Sequence, residues 1–416
     1  MRSGILRRLA VAVVLLGMAV FAGRAGAQKK YDAGASDTEI RVGNVSPYTG
    51  WAQDYGAVGK AEAAYFRMVN ERGGVNGRKI VFLSEDIAGS AARGAAEATK
   101  RSVELTHKLV EQDGVLLMFS SFGTEPNLGV REYLNSAKVP QLFVQSSAAA
   151  FDDAGDYPWT MGFFATFKME GVAYAKYILA NQPGAKIAVW YADDDTGKEY
   201  LAGVREGLSE KHAGMMVKEI AYVPGETRGG EAIAGQIAEL QKSGADVFLN
   251  LSVGRYTTAA IRAAYDLGWR PLQFIPNASL SIAAFLDPAG LEKAKGIICN
   301  ARSKGWLRAE ARRDPAVREF LDWMAKYNAD ASLRDQNNVA GYERAQVLVE
   351  VLRRCGDDLT RANVMKQAAS LDMELGMLRP GIRVKTSATD YQPISQLYLV
   401  RFAGEDWVGI GAVEGR

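Results

Sequence analysis

Cysteine is nearly absent: Cys299 and Cys355 are the only two in 416 residues. A disulfide-scaffolded fold is thereby excluded, and spacing alone does not say whether the two come within bonding reach. Histidine is equally scarce. His107 and His212 both lie inside or at the end of predicted helices, among charged neighbours. They read as surface residues, which removes the commonest general base and metal ligand. No His-Glu-x-x-His, Gly-x-Ser-x-Gly or strand-borne Gly-x-Gly-x-x-Gly occurs, and Gly59-Lys60 is followed by Ala61 rather than a hydroxyl. Charge of one sign is lacking too. The chain has 50 basic and 48 acidic residues. Setting aside residues 1–27 removes Arg2, Arg7, Arg8 and Arg24 and no acid, leaving 46 against 48. Near-neutrality gives no reason to expect nucleic acid or an anionic membrane surface as a partner.

One long apolar run is present, Leu9–Ala22, after the basic start Arg2, Arg7 and Arg8. It is shorter than the roughly 20 residues a membrane span needs. Ala25-Gly26-Ala27 follows it and fits a small-residue cleavage pattern. Residues 1–27 therefore read as a signal peptide cleaved after Ala27, and the mature chain as exported. Its roughly 390 residues exceed one ordinary core and suggest two domains.

Apolar periodicity predicts strands at Ile40–Val45, Lys79–Ser84, Val115–Phe119 and Val139–Val144. Helices are expected between them over Gly56–Glu71, Ala91–Gln112 and Glu125–Ala137. The alternation restarts after Trp159. Helices are expected at Lys168–Asn181, Gly197–Lys211, Gly230–Lys242 and Tyr256–Leu267, with strands at Ile187–Tyr191, Met216–Tyr222, Val247–Leu251 and Leu272–Ile275. Such alternation indicates α/β architecture, with parallel sheets covered by helices on both faces. The remainder offers a strand at Gly296–Asn300, three helices and three further strands. These are better used to complete the first two units than to form a third, so the chain should cross between lobes more than once.

The stretch Val115–Asn127, VLLMFSSFGTEPN, reads as a buried strand, a Ser-Gly turn and a helix start capped by Thr124. Free backbone N–H groups and the dipole at a helix start suit a carboxylate or phosphate. In open parallel sheets ligands sit beyond the carboxyl ends of the strands. The segments there hold Tyr55, Ser121, Ser146, Ser147, Thr196 and Asn277. They are rich in hydroxyl and amide groups and poor in charge, which suits a small molecule. Asp193-Asp194-Asp195 lacks the spacing of a calcium loop and reads as a cap for the next helix. Phe163, Phe164 and Phe167, between the two units, either line a cleft or pack beneath a hinge. No cofactor or metal is implied, and no catalytic constellation is found.

Tyr55-Gly56, a helix, and then Asn-Glu-Arg-Gly-Gly-Val-Asn-Gly-Arg-Lys at 70–79 resemble the branched-chain amino-acid type of periplasmic binding protein. Phe-Ser-Ser-Phe-Gly-Thr-Glu-Pro-Asn at 119–127, Lys-Val-Pro-Gln-Leu-Phe-Val at 138–144 and Leu-Gly-Trp-Arg-Pro at 267–271 continue the likeness. The resemblance covers essentially the whole mature chain. It implies two doubly wound parallel-sheet lobes joined by a three-crossing hinge, the type I periplasmic binding protein fold. The implied division is lobe I over 37–160, lobe II over 161–301, completion of lobe I over 302–386 and of lobe II over 387–416. It implies a periplasmic receptor that delivers a ligand to the membrane permease of an ATP-binding-cassette importer, without catalysis. The rival readings are a ligand sensor for a signalling partner and an exported α/β enzyme.

Site residues carry over one by one. Ser121 matches a carboxylate-gripping serine, and Ser147, Ala148 and Ala149 match a second gripping segment whose threonine is replaced by Ala149. Tyr55 matches a wall aromatic, while Thr196 and Val253 fall where the family has tyrosines. Asn277 stands where amino-acid binders place a glutamate for the ammonium. An ammonium brought from water without a charged acceptor is costly. The ligand implied is a small carboxylate, an organic or aromatic acid lacking the α-amine in preference to a branched-chain amino acid.

Overall fold

The computed structural model describes residues 29–87, 95–224 and 229–413. The expected cleavage after Ala27 lies outside the described residues, as does the expected helix start at residues 91–94.

The first sheet has four parallel strands: β1 (Glu39–Ser46), β2 (Lys79–Asp86), β3 (Leu117–Phe119) and β4 (Gln141–Leu142), in the order β2-β1-β3-β4. Helices α1 (Ala57–Glu71), α2 (Ala95–His107) and α3 (Thr124–Ser136) connect them. The second sheet has β5 (Ile187–Ala192), β6 (Met216–Tyr222), β7 (Val247–Leu251), β8 (Leu272–Phe274), β9 (Ile298–Asn300), β10 (Leu397–Phe402) and β11 (Trp407–Val413). Their order is β11-β10-β9-β8-β7-β5-β6, and only β10 and β11 run antiparallel to their neighbours. Helices α4 (Phe167–Asn181), α5 (Asp195–His212), α6 (Gly230–Lys242) and α7 (Arg255–Asp266) cover it.

Alternation along the strands explains the two-sided cover. Val189 and Leu249 bury with Tyr174, Tyr200 and Val204 of α4 and α5. Ala188 and Phe248 point the other way, onto Ile233, Ile237 and Leu240 of α6 and Ala260 of α7. Such double cover is what a parallel sheet needs.

The remaining helices, α8 (Pro315–Tyr327), α9 (Asn337–Cys355) and α10 (Arg361–Ala368), return to the first sheet. Leu348, Val351 and Leu352 of α9 and Val364 of α10 share a core with Ile40, Val42 and Leu117. Helices α9 and α1 touch backbone to backbone. A Cβ at Gly341 would stand 2.4 Å from Val58 O, so only glycine fits there. The first lobe is thus completed late in the chain, and β10 and β11 then complete the second.

Several expectations were too long. The strand expected over Val115–Phe119 pairs only at Leu117–Phe119, and that over Val139–Val144 only at Gln141–Leu142. Ser120 (φ 53) and Phe143 (φ 56) take left-handed backbone conformations that end both strands. Thr124 is not the cap of α3. Gly123 occupies that position, and the Thr124 hydroxyl turns elsewhere. Asp194 does cap α5, its Oδ1 accepting from Gly197 N at 2.9 Å. Two short strand pairs lie outside the sheets, Lys30–Tyr31 with Asp358–Leu359 and Asp372–Met373 with Val384–Lys385; of these four strands only the last was expected, over Ile382–Lys385. Cys299 and Cys355 are both buried and unpaired.

Candidate functional site

The segments that follow the strands of both sheets face one cavity of 690 Å³. Its apolar wall is a run of aromatic rings. Tyr55 stacks on Phe122 with ring centroids 5.3 Å apart, and Phe285, buried outside the lining, packs on Tyr55 at 5.5 Å. Trp51, exposed at 40%, meets Phe122 edge-on. The lining also holds a hydroxyl cluster. Thr124 Oγ1 lies 2.8 Å from Ser146 Oγ and 3.3 Å from Thr196 Oγ1.

The structure brings six of the sequence-expected residues to this cavity: Tyr55, Ser146, Ser147, Thr196, Val253 and Asn277. Ser121, Ala148 and Ala149 are not in its lining. Ser121 turns back into the sheet, where its Oγ accepts from Val45 N at 3.3 Å. The left-handed step at Ser120 precedes it, and the next residue, Phe122, takes the place on the wall. Ala148 donates its N–H to Ser146 Oγ at 3.2 Å. The Ala149 N–H, expected to grip a ligand carboxylate, is held by Glu199, at 3.1 and 3.2 Å from its two oxygens. Among the flanking aromatics, Phe164 and Phe167 line the cavity, while Phe163 is wholly buried beneath.

Asn277 is not far from a carboxylate after all. Its N–H donates to Glu170 Oε1 at 2.6 Å, and Tyr200 Oη donates to Glu170 Oε2 at 3.0 Å. Tyr174 Oη stands 2.6 Å from Glu170 Oε1 and 2.7 Å from Ile275 O. Burial pushes the Glu170 carboxyl up to about 7. Glu170 is therefore a satisfied buried acid beside the cavity, with both oxygens already engaged. Sequence reading missed it because it lies on a helix, four residues into α4, where a lone Glu reads as surface.

The cavity's charge is uneven. Glu125, Asp193 and Asp194 line it near the hydroxyl cluster. Burial raises the Glu125 carboxyl, and Asp194 and Asp195 add to the rise. Arg302, Lys304, Arg344 and Arg379 line it on the side of the crossings. Arg302 directly follows β9, so reading the crossing segments could have found it. Arg344 gave no such signal: it sits mid-helix in α9 next to Glu343, a pairing that looks like solvated surface. In fact Arg344 is 1% exposed.

The profile of the periplasmic binding protein family matches residues 39–406. An amino acid binding protein of Pseudomonas aeruginosa is 25% identical over 215 residues, which is 50% of this chain and 52%, about half, of that protein. Leu/Ile/Val-binding protein homolog 3 of Brucella melitensis is 20% identical over 350 residues, 83% of this chain and 88% of that one. Among solved structures, a branched-chain amino acid ABC transporter protein from Thermus thermophilus with bound valine superposes with TM-score 0.78 at 15% identity, covering 91% of this chain and 97% of that one. An ABC transporter solute-binding protein from R. palustris in complex with benzoate gives 0.72 at 18%, covering 90% and 98%. With the fold, the crossings and the inter-lobe cavity in agreement, the chain belongs to the periplasmic binding protein family, as a type I member of the branched-chain amino acid type.

Proposed function

We propose that this protein is the exported solute-binding receptor of an ATP-binding-cassette importer. It captures a small carboxylate between its lobes and presents it to the membrane permease, without chemistry on the ligand. The observation that carries the reading is the 690 Å³ cavity whose walls come from both lobes. Apolar pockets with a few fixed polar groups are the usual form of small-molecule sites. The proposed ligand contacts are Tyr55, Ser147, Thr196, Val253 and Asn277, with Ser121, Ala148 and Ala149 acting behind them through the backbone. The proposed division of the chain places the crossings at 160/161, 301/302 and 386/387. The mature chain is proposed to begin after Ala27.

The ligand class is an organic or aromatic acid without an α-amine. Glu170 supports this, because its oxygens are engaged by protein donors and leave no charged acceptor free beside Asn277. The benzoate held by the R. palustris neighbour belongs to the same class, and the valine of the Thermus thermophilus protein to the competing one. Melting scans with matched pairs test it, leucine against its 2-oxo acid and phenylalanine against phenylacetate. A ligand at 100 times its Kd adds about 2.7 kcal/mol, enough to raise Tm by several degrees. Stabilisation by leucine with no response to the acids would return the protein to the amino-acid group.

A further inference from the structure

We infer that Arg302 and Arg344, packed against Phe164 on the crossing side of the cavity, form the subsite that receives the ligand's carboxylate, in place of the turn that opens α3. The inference rests on the reading of the cavity as a carboxylate site and adds where the charge goes.

Three observations carry it. First, Arg344 is buried on the cavity wall, and its Nε and Nη1 have no hydrogen-bond partner. Buried guanidinium donors without acceptors are unfavourable, so such a group is poised for an anion. The nearby Glu62 attracts the Arg344 guanidinium electrostatically but makes no hydrogen bond to it. Neither Glu62 oxygen has a hydrogen-bond partner, and burial raises that carboxyl toward its neutral form. Second, Arg302 spends only Nε on its own carboxylate, Glu343 Oε2, at 3.1 Å. A guanidinium presents five donors in a rigid fork, so its terminal nitrogens are left for another acceptor. Third, one ring holds both groups. The Phe164 centroid is 3.8 Å from Arg302 Cζ and 4.2 Å from Arg344 Cζ. Stacked guanidiniums of this kind keep their edges free for in-plane hydrogen bonds to a carboxylate.

The competing position is less hospitable. The first turn of α3 does offer backbone donors, but Glu125 and Asp194 line the cavity beside it. A carboxylate placed there meets charge of its own sign in a partly desolvated site. A carboxylate at the arginines instead leaves the apolar body of the ligand to the Trp51, Tyr55 and Phe122 rings. The class expected is a monocarboxylate with an aromatic or branched aliphatic body.

Acid and amide pairs of one shape separate the two positions. Calorimetry would compare benzoate with benzamide, phenylacetate with phenylacetamide and 4-methylpentanoate with 4-methylpentanamide. For the pairs that bind, the wild-type protein should favour the acid by roughly tenfold or more. Arg344→Gln should abolish most of that preference and Arg302→Lys, which loses the fork but keeps a charge, should reduce it severalfold, whereas Ser147→Ala and Thr124→Val should weaken acid and amide alike. Circular dichroism reports whether each variant folds. If Arg344→Gln does not, Arg302→Lys decides alone, since it keeps a cation beside Glu343. An acid preference that survives undiminished in the folded arginine variants, or that disappears in Ser147→Ala or Thr124→Val instead, overturns the inference and leaves the carboxylate receptor standing. Binding of none of the three acids by the wild-type protein overturns both.

Discussion

Thr124 and Thr196 bring their hydroxyl oxygens to 3.3 Å across the cavity, one from the first turn of α3 and the other from the first turn of α5. They belong to different lobes. A second contact between lobes lies near α9, where Ser281 Oγ donates to Asp335 Oδ1 at 2.8 Å and Ile282 N donates to Gln336 Oε1 at 2.7 Å. Arg334 and Asp287 add an ion pair at 3.1 Å. All of these join polar groups, and water can replace each partner when the lobes part. The closed form is therefore held weakly without a ligand, and a ligand that touches both walls favours it.

Small-angle scattering should accordingly give a larger radius of gyration for the ligand-free protein than for the saturated one. An unchanged radius on binding would argue against hinge closure.

Ser121→Ala should reduce stability rather than affinity. The substitution removes the acceptor for Val45 N–H, whose exchange with solvent is blocked by burial. A cost of about 1–3 kcal/mol follows from leaving that donor unsatisfied. Denaturant melts would register the loss, and ligand titration of the folded variant should stay within about threefold of the wild type. A much larger loss of affinity would put Ser121 back in the binding site.

Glu170 should make stability fall as pH rises. One Tyr174 hydrogen cannot serve both Glu170 Oε1 and Ile275 O. A protonated Glu170 resolves the conflict by donating to Tyr174, which then donates to Ile275 O. Its folded pKa of about 7 lies above the usual carboxylate value of 4.5, so the folded state holds the proton longer. The contribution is complete below about 4.5, declines through the interval and is gone above about 7. Over that window the wild-type protein should lose about 3 kcal/mol or less relative to Glu170→Gln, which cannot titrate. Melts of the two proteins at matched pH values would check the slope. Parallel curves would mean that Glu170 is ionised throughout.

Gly203→Ala should destabilise, although alanine is the better helix former. Helices α4 and α5 meet so closely that a Cβ on Gly203 would stand 2.0 Å from Lys168 O. Overpacking of this kind costs about 1–3 kcal/mol and exceeds the helix-propensity gain. Thermal melts should show Tm lowered. A raised Tm would mean that the two helices can separate at little cost.

The sequence pattern carried the lobes further than the site. Met216–Tyr222, Gly230–Lys242 and Val247–Leu251 form where periodicity places them, because each is a full-length element with one dominant spacing. The short β4 was overextended, since nothing in Val139–Val144 announces the left-handed turn at Phe143. At the site, reading the segments after each strand found Tyr55, Ser146, Ser147, Thr196 and Asn277, whose place depends on local topology alone, and the family resemblance added Val253. Glu62, Glu170 and Arg344 are charged residues on helices, and their burial depends on which helices meet. That is a tertiary fact: α9 reaches α1 only after the chain has crossed between the lobes twice, with Gly341 against Val58.

The antiparallel pairing of β9 with β10 also bears on the order in which the molecule can be assembled. Ile298 lies opposite Arg401 in the ladder, and Cys299 opposite Val400. While a ribosome is still adding the residues between them, β9 is an unguarded edge bearing the apolar side chains of Ile298 and Cys299. Such edges recruit other strands. A chain shortened to end before Leu397 would keep that edge permanently, and it should precipitate rather than yield a smaller soluble receptor. Vectorial synthesis thus leaves the second lobe unfinished until almost the last described residue is available, which makes its folding late, non-local and slow.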